Sequence, residues 1–503
     1  MKLGRLATLI GAALLAGASA ASAQTTLRIG LAEDPDILDP TLARTFVGRI
    51  VFASLCDKLI DISPDLKLVP RLATEWSFSP DQKTLTMKLR QGVTFHDGEK
   101  FDAEAVKFNI ERHLTLPGSY RKGEISAVSK VEVVDDHTVK IDLSTPFAPL
   151  LAQLTDRAGM MVSPKAAKAL GDKFGSAPVC SGPYKFVERV AQDRIVLERF
   201  PQYWDKDHYH FDRVIFQPIT DATVRLANLQ SGGLDIFERL APTDVQTVKK
   251  DPKLKLASTV ELGYQGITIN VANGERAKSN PLADPRVREA LDLSIDREAL
   301  NQVVFEGEYV PGNQWVSPSS PFYVKSLPVP KRDIAKAKQL LKAAGKEHPS
   351  VEFMIPNDTQ QQQVAQVIQA MAQEAGFDLK IRATEFASSL QLGEKGDYDA
   401  YLLAWSGRTD PDGNLYNFVV CNMPNNYSRY CNKAVDEEIE AARRVNAVDE
   451  RMKHYKPVAE TLLKDRPIIY IYHRRWLYAH SAKLTGFTTY PDGLIRVADM
   501  KLQ

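Results

Sequence analysis

A segment near the carboxyl-terminal end of the chain combines residue types that suit a small-ligand site. Trp405, Ser406, Gly407 and Arg408 come directly after a predicted strand, and Asp410 follows shortly. Tryptophan offers a rigid apolar face, glycine lets a ligand approach backbone amides, and arginine can bind a carboxylate or phosphate through two hydrogen bonds. Because ligands in open α/β sheets collect beyond the carboxyl ends of strands, we predict a ligand-binding loop here. An ordinary Asp-Pro turn is the alternative for residues 410–413.

Three other groups of polar residues suggest catalysis, but their spacing favours structural roles. Ser119 to Lys122 match S-x-x-K, yet the chain lacks the K-T-G strand that this kind of acyl transferase also needs. His96 and Asp97 lie in a turn, where a structural hydrogen bond is the favoured interpretation. The segment 205–210 lacks the spacing of a metal site. We therefore predict no catalytic residue, no metal site and no cofactor, with a hydrolase or acyl transferase as the less favoured alternative.

The first 23 residues have the pattern of a cleavable signal peptide. Lys2 and Arg5 precede an apolar run from Leu6 to Ala18, and Ala21-Ser22-Ala23 gives a small-residue cleavage site. The run is too short to span a bilayer. No cysteine follows the predicted cut, which argues against a lipid anchor. We therefore expect the mature chain to be exported.

Export permits disulfide bonds among the four cysteines. Cys421 and Cys431 flank a polar segment rich in asparagine and tyrosine, and we predict that a disulfide closes this loop. Cys56 lies in an apolar stretch, so a buried free thiol and a bridge to Cys180 are equally compatible with the sequence. No cysteine pair has the spacing of a structural zinc site.

The composition is typical of an ordinary globular protein with more than one domain. The 503 residues carry 64 lysines and arginines against 63 aspartates and glutamates, so the net charge is +1. A balanced charge gives no electrostatic footprint for nucleic acid, and we expect no such partner. The length corresponds to roughly three domain-sized cores.

The periodicity of the hydrophobic residues predicts two kinds of structural unit. Between 333 and 405, helical and strand patterns alternate, which is typical of α/β layers around a largely parallel sheet. Between 84 and 143, alternating strands and a hairpin signal at residues 135–137 predict a more antiparallel unit. Asp102 is the predicted N-cap of a helix from Ala103 to His113.

Several motifs occur in an order that points to a known family. PRLATEW (70–76) precedes LTMKLRQGVTFHDGEKFDAEAVKF (85–108), and SGPYKF (181–186) and LANLQSGGLDI (226–236) follow. DPRVREALDLSIDREAL (284–300), GDYDAYLLAW (396–405) and NYSRYCN (426–432) complete the set. The chain thereby resembles the family 5 extracellular solute-binding proteins of ABC importers, the dipeptide- and oligopeptide-binding group, over nearly all of its mature length.

The resemblance implies an α/β fold of the type II periplasmic binding protein kind. It would have two lobes with a hinged cleft and an extra domain inserted in the N-terminal lobe. Lobe I would comprise residues 24–65, 179–268 and 477–503, the extra domain residues 66–178, and lobe II residues 269–476. Two crossings between the lobes, near 264–270 and 470–473, would form the hinge.

The resemblance also implies which residues contact the cargo. Arg44, Thr45 and Phe46 would line the cleft from lobe I, and Tyr264, at the first crossing, is a further candidate contact. In peptide-binding relatives, an aspartate in the loop after the lobe II tryptophan meets the α-ammonium group of the ligand. Here Arg408 lies nearest to that position, and Asp410 is the alternative.

The charge of two of these residues leads to an expectation about the cargo. Arg44 and Arg408 would face one cleft from opposite lobes, and burying two unpaired guanidinium groups is costly. We therefore predict an anionic group on the cargo, unless Asp410 and Asp412 neutralise Arg408 within its own loop.

The implied role is that of a periplasmic receptor, a monomer that captures a peptide or similar small solute. It would deliver this cargo to the permease subunits of an ABC importer in the inner membrane. The alternative is the same role with a sugar phosphate, an opine-like compound, a metal chelate or haem as cargo. His208, His210 and His473 would support the metal-chelate or haem version.

Overall fold

The computed structural model describes residues 25–318 and 320–503. The predicted signal peptide, residues 1–23, lies outside the described residues. Among the helices described, none is both long enough and apolar enough to cross a membrane.

The strands and helices are numbered in chain order. The strands are β1 Thr26–Leu31, β2 Ile60–Ile62, β3 Leu68–Pro70, β4 Ala73–Phe78, β5 Thr84–Leu89, β6 Val128–Asp135, β7 Thr138–Leu143, β8 Tyr184–Val190, β9 Arg194–Arg199, β10 Arg213–Pro218, β11 Ile236–Glu238, β12 Leu254–Val260, β13 Tyr264–Ile269, β14 Val310–Pro311, β15 Ser350–Pro356, β16 Asp378–Thr384, β17 Ala400–Trp405, β18 Ile468–His473, β19 Arg475–Ser481, β20 Leu484–Thr485 and β21 Lys501–Leu502. The helices are α1 Phe46–Leu55, α2 Ala103–Thr115, α3 Leu150–Gln153, α4 Pro164–Leu170, α5 Ala222–Ser231, α6 Val245–Lys250, α7 Pro285–Ser294, α8 Arg297–Phe305, α9 Ile334–Ala343, α10 Thr359–Ala375, α11 Phe386–Lys395, α12 Asp412–Val419, α13 Lys433–Ala442 and α14 Val448–Asp465.

The first lobe is built around a seven-stranded mixed sheet in the order β12-β19-β11-β1-β10-β9-β8. Strand β1 lies parallel to β10 and β11, and the other neighbours are antiparallel. Leu27 and Ile29 of β1 are fully buried and belong to one core with Val47 and Ile50 of α1. The sheet therefore holds the start of α1, where three of the predicted cargo contacts lie.

The second lobe is built around a six-stranded sheet in the order β14-β18-β13-β17-β15-β16. Strand β15 is parallel to β16 and β17, whereas β13 is antiparallel to β17 and β18. The largely parallel arrangement predicted for residues 333–405 is confirmed by β15, β16 and β17, whereas the pairings of β13 with β17 and β18, and of β14 with β18, are antiparallel. Strand β13 enters this sheet directly from the other lobe rather than through a crossover helix, so the βαβ geometry that enforces parallel pairing does not act on it.

The inserted domain contains a four-stranded sheet in the order β4-β5-β7-β6, antiparallel throughout. This confirms the antiparallel unit predicted from the hairpin signal. Helix α2 packs on the sheet through Val106 and Ile110, which share a core with Leu85 and Met87 of β5. As predicted, Asp102 caps the helix, and its carboxylate accepts a hydrogen bond of 2.9 Å from the backbone N–H of Ala105.

The chain crosses between the lobes in two short segments, one after β12 and one after β18. Strand β12 ends at Val260 and β13 begins at Tyr264, so β13 belongs to the second lobe although lobe I was expected to extend to residue 268. The second crossing is Arg474, between β18 and β19. The crossings pair with each other, because Arg474 N–H donates to Glu261 Oε1 at 2.6 Å and its Nε lies 3.0 Å from Glu261 Oε2.

All four cysteines form disulfide bonds. The Sγ atoms of Cys421 and Cys431 lie 2.07 Å apart, and Cys56 is bonded to Cys180 at 1.99 Å. The sequence was compatible with either a free thiol at Cys56 or a bridge to Cys180, and the structure contains the bridge. It joins the end of α1 to the segment that enters β8.

Removing the Cys421–Cys431 bond should destabilise the second lobe. In the chain-entropy model, a loop with a sequence separation of 10 residues adds roughly 2–3 kcal/mol to the free energy of unfolding. The double variant Cys421→Ala/Cys431→Ala should show this loss in urea unfolding without reductant. With reductant present, wild type and variant should converge in the part of the transition that reports on this loop. Alkylation of both thiols in the untreated wild type would contradict the prediction.

Two buried histidines should make the protein less stable in mild acid. Burial lowers the pKa of His113 to about 3 and that of His473 to about 4. The unfolded chain takes up these protons near pH 6.5, whereas the folded chain does not, so stability is lost as the pH falls through 6.5. At pH 5.5, each histidine should cost about 1.4 kcal/mol.

The measurement is chemical unfolding of wild type and His113→Gln at pH 8 and pH 5.5. The difference between the two proteins isolates this histidine from carboxylates that titrate in the same range. A smaller loss on acidification in the variant supports the prediction, and equal losses contradict it.

Candidate ligand-binding site

A cavity lies between the two lobes. Its empty volume is about 810 Å³, including its opening to solvent. The wall combines apolar and aromatic side chains with several arginines and two carboxylates, which suits a small polar solute. Its lining residues are Glu33, Arg44, Phe46, Arg121, Arg157, Arg239, Pro356, Asp358, Gln361, Phe386, Leu390, Leu403, Ala404, Trp405, Ser406, Phe418, Asn425, Tyr427 and Arg474.

Trp405, the last residue of β17, forms part of the wall and is held by the loop that follows it. Its indole N–H donates to Asn414 Oδ1 at 3.0 Å, and the same oxygen accepts from the backbone N–H of Arg408 at 2.7 Å. The Phe418 ring lies 4.6 Å from the indole, edge to face. The aromatic surface is thus fixed before any cargo arrives, which lowers the entropy cost of binding.

Gly407 serves a close contact within the protein rather than with a cargo. Its φ is +82°, and a Cβ there would lie 2.2 Å from the carbonyl carbon of Leu262. A Cβ on Gly263 would lie 1.7 Å from the carbonyl oxygen of Trp405. The loop after Trp405 therefore packs directly on the first crossing, and Gly407 does not line the cavity.

Arg408 is buried and does not line the cavity. Its Nε lies 2.6 Å from Asp156 Oδ2 of the inserted domain, and its guanidinium group stacks 4.3 Å from the centre of the Trp405 ring. Asp410 and Asp412 do not neutralise it, because Asp410 pairs with Arg451 at 2.6 Å and Asp412 with Arg443 at 3.1 Å.

The predicted contacts of the first lobe divide between the cavity and the frame of α1. Arg44 and Phe46 line the cavity. Phe46 stacks on Trp476 at 4.5 Å, and Arg44 Nη1 lies 3.4 Å from both Glu394 and the Tyr427 hydroxyl of the second lobe. Thr45 is the N-cap of α1, where its Oγ1 accepts from the Gly48 N–H at 3.3 Å.

Tyr264 is placed away from the cavity wall. It is buried in the core of the second lobe, and its ring meets that of Tyr470 edge to face at 4.8 Å. Of the predicted contacts, the structure therefore brings Arg44, Phe46, Trp405 and Ser406 together around the cavity. Thr45, Tyr264, Gly407, Arg408 and Asp410 support the wall or pack elsewhere.

The sequence reasoning missed a buried cluster of arginines, two of which line the cavity. This arginine cluster consists of Arg49, Arg121, Arg157 and Arg408, together with the carboxylates Asp156 and Glu124. Asp156 accepts ion pairs from Arg49 at 2.8 Å and from Arg408 at 2.6 Å, and Glu124 pairs with Arg121 at 2.6 Å. Ser406, from the predicted loop, accepts from Arg49 at 3.1 Å. No local sequence pattern indicates the cluster, because its members come from distant parts of the chain.

A second charged region of the wall is acidic. Glu33 follows β1 and pairs with Arg239 at 3.0 Å, and Arg239 also lies 3.0 Å from Glu238. Asp358 caps α10 in the second lobe. Burial raises the pKa of both Glu33 and Asp358, although Arg239 acts in the opposite sense on each. The cavity wall thus carries an acidic region as well as a basic one.

The histidines that would support a metal chelate or haem do not line the cavity. His473 is buried beside the first crossing, where its Nδ1–H donates to the Gly263 carbonyl at 2.7 Å. His208 pairs with Asp499 at 2.8 Å, outside the residues of the wall. The grouping of Cys421, Cys431 and Asp436 is not a metal site, because both thiols are in a disulfide.

Two lobes, two crossings and a cavity lined from both sides define a solute-binding protein of the periplasmic type. The family model for bacterial extracellular solute-binding proteins, family 5 (middle region), matches residues 67–426. The glutathione-binding protein GsiB of Pectobacterium atrosepticum is 31% identical over 478 residues, covering 92% of this chain and 92% of the relative. The chain belongs to the family 5 solute-binding proteins, and its role is that of the solute-binding component of an ABC importer.

Solved structures agree in the whole fold. The protein AgaA in complex with agropinic acid, from A. tumefacien R10, superposes with a TM-score of 0.87 at 28% identity, covering 95% of this chain and 99% of that one. DppA from Helicobacter pylori in complex with the peptide STSA gives a TM-score of 0.88 at 25% identity, covering 95% and 98%. The α/β fold with two lobes that the resemblance implied is thereby confirmed.

Trp405 should contribute to affinity more than to folding. Truncating an aromatic anchor in a desolvated site commonly costs about 2 kcal/mol or more of binding free energy. We expect Trp405→Ala to weaken binding of the natural cargo by at least this amount, as measured by calorimetry. Trp405→Phe, which keeps an aromatic face, is the matched control and should lose less. Unchanged affinity in Trp405→Ala, with an unchanged melting temperature, would show that the indole is only a packing element.

Proposed function

We propose that this protein captures a peptide or an opine-like small molecule in the cavity between its lobes and delivers it to the permease subunits of an ABC importer. In this proposal the signal peptide is cleaved after residue 23 and the mature protein acts in the periplasm as a monomer. It carries no lipid anchor, catalyses no reaction and binds no nucleic acid. The observation that carries the proposal is the cavity itself, whose wall takes Phe46 from one lobe and Trp405 from the other. Closure of the lobes would bury a small solute between these two rings.

The relatives support this class of cargo. GsiB is named for glutathione, and the two solved structures contain agropinic acid and a short peptide. These ligands are small, polar and built around carboxylate-bearing units. A wall with both acidic and basic regions suits such molecules, because each charged group of the cargo then finds a counter-charge. A sugar phosphate remains the alternative. A metal chelate or haem is less favoured, because His208, His210 and His473 do not line the cavity.

The candidate contacts follow from the geometry of the wall. We propose Arg44, Phe46, Trp405 and Ser406 as direct contacts of the cargo. Arg408 and Asp410, between which the sequence left the choice, are both engaged in ion pairs of the protein. We therefore assign them to the support of the loop rather than to the cargo.

Native mass spectrometry of freshly purified protein tests the proposal. The expected result is a monomer that carries one small molecule, which is released unchanged on denaturation. The variant Phe46→Ala/Trp405→Ala, purified in parallel, should carry less of it. A protein that co-purifies with no small molecule and binds none of a panel of peptides, opines and sugar phosphates would contradict the proposal. Release of a chemically altered ligand would instead support an enzyme.

A further inference from the structure

Two arginines of the inserted domain reach the cavity while being almost completely buried. Arg121 is 2% exposed and Arg157 is 1% exposed, yet both form part of the cavity wall. Both donate to the same backbone carbonyl, that of Ala43, Arg121 through Nη2 at 3.2 Å and Arg157 through Nη1 at 2.7 Å. The two guanidinium groups therefore lie side by side.

Their remaining hydrogen-bonding groups are incompletely satisfied. The Nε of Arg121 and the Nε of Arg157 are buried and have no hydrogen-bond partner among the described residues. Arg121 has one carboxylate partner, Glu124, at 2.6 Å. For Arg157, the only carboxylate within ion-pair distance in the described chain is Asp156, at 3.8 Å.

Asp156 is already engaged by two other arginines. Arg49 and Arg408 lie 2.8 Å and 2.6 Å from it. The four guanidinium groups of the arginine cluster are thus balanced by two carboxylates, Asp156 and Glu124, within the described part of the chain. The excess positive charge is buried and adjoins the cavity at Arg121 and Arg157.

Such an excess is costly without a counter-charge. Removing a cation from water has a large free-energy penalty unless an anion compensates it. The electrostatics agree with this geometry. Burial, followed by the charge of the neighbouring Arg121, lowers the pKa of Arg157 well below its usual range. Burial, together with Arg49, lowers the pKa of Arg408 to about 10.

We infer that Arg121 and Arg157 form an anion subsite, and that the cargo carries a carboxylate or phosphate group that binds there. The inference rests on the proposed function, because it names the chemistry of that cavity. An anion in the cavity beside these two side chains would offset the excess charge. Arginine suits the task because its donors match the two oxygens of a carboxylate or phosphate.

The subsite also connects the cargo to closure of the lobes. Arg408 comes from the second lobe, whereas Asp156 comes from the inserted domain, so their contact forms only when the lobes approach. Approach therefore brings a fourth guanidinium group into a cluster that has two carboxylates. A bound anion offsets this added charge, and a ligand can shift a conformational equilibrium only through such differential affinity.

The probes for the test are inorganic phosphate and acetate, titrated against chloride at constant ionic strength. Wild-type protein is first freed of ligand by unfolding and refolding with its disulfides intact. At least one of the two anions should raise the melting temperature in a saturable manner. In Arg121→Gln and in Arg157→Gln, the apparent affinity for that anion should fall by about tenfold to a hundredfold. Which anion acts distinguishes a carboxylate cargo from a phosphorylated one.

Arg297→Gln is the matched control. Arg297 is 4% exposed and pairs with Asp292 at 2.6 Å, but it does not line the cavity. This variant should keep the anion response. Ligand-free Arg157→Gln should melt no lower than wild type, because it removes an uncompensated buried charge. If either glutamine variant fails to fold, the anion titration of the other one decides.

The inference is overturned if wild type shows no specific response to either anion, or if the response survives in both glutamine variants. This failure is distinct from failure of the proposed function. If a neutral cargo co-purifies and the melting temperature does not respond to either anion, the subsite is contradicted and the receptor role still stands. If the melting temperature responds to an anion but no organic cargo is found, the receptor role is contradicted and the subsite still stands.

Discussion

The arrangement of the site depends on one buried carboxylate, that of Asp156. It belongs to the inserted domain, yet it binds Arg49 of the first lobe and Arg408 of the second. Burial alone would raise the pKa of Asp156, but Arg408 and Arg49 hold it well below its usual value. Because breaking a buried ion pair typically costs about 3–5 kcal/mol, this contact holds Arg408 in place when the lobes are together, and with it the Trp405 ring on which Arg408 stacks. The position of Trp405 in the cavity wall therefore depends on an ion pair whose two residues, Asp156 and Arg408, do not line the cavity.

The two crossings between the lobes are coupled to the same loop. Leu262 and Gly263 lie so close to Trp405 and Gly407 that a side chain on either glycine would collide with backbone atoms. The buried pair of Glu261 and Arg474 holds the crossings together. The first crossing and the loop after Trp405 therefore pack backbone against backbone, and this close approach requires glycine at both 263 and 407.

The sequence predicts local features well and long-range pairings poorly. The β17 strand and the loop behind it follow from periodicity and residue type, because both signals are local. The partner of Arg408 could not be predicted from the loop, since Asp156 is far away in the chain, and the nearer Asp410 and Asp412 each pair with another arginine. Tyr264 lies in the core for a similar reason: the crossing ends before it, and β13 carries its ring against Tyr470. Arg157 gives no sequence signal at all, because its importance arises from what surrounds it.

The charges of the wall have more to do with selectivity than with stability. Buried ionised groups contribute little to the free energy of folding, and an apolar wall would make the ligand-free protein more stable. Here burial raises the pKa of Glu33 and lowers that of Arg157, so each group is in an environment that disfavours its own charge. A cargo with opposite charges at matching positions relieves both penalties at once. A neutral molecule of the same size relieves neither penalty, so a site of this kind discriminates against it.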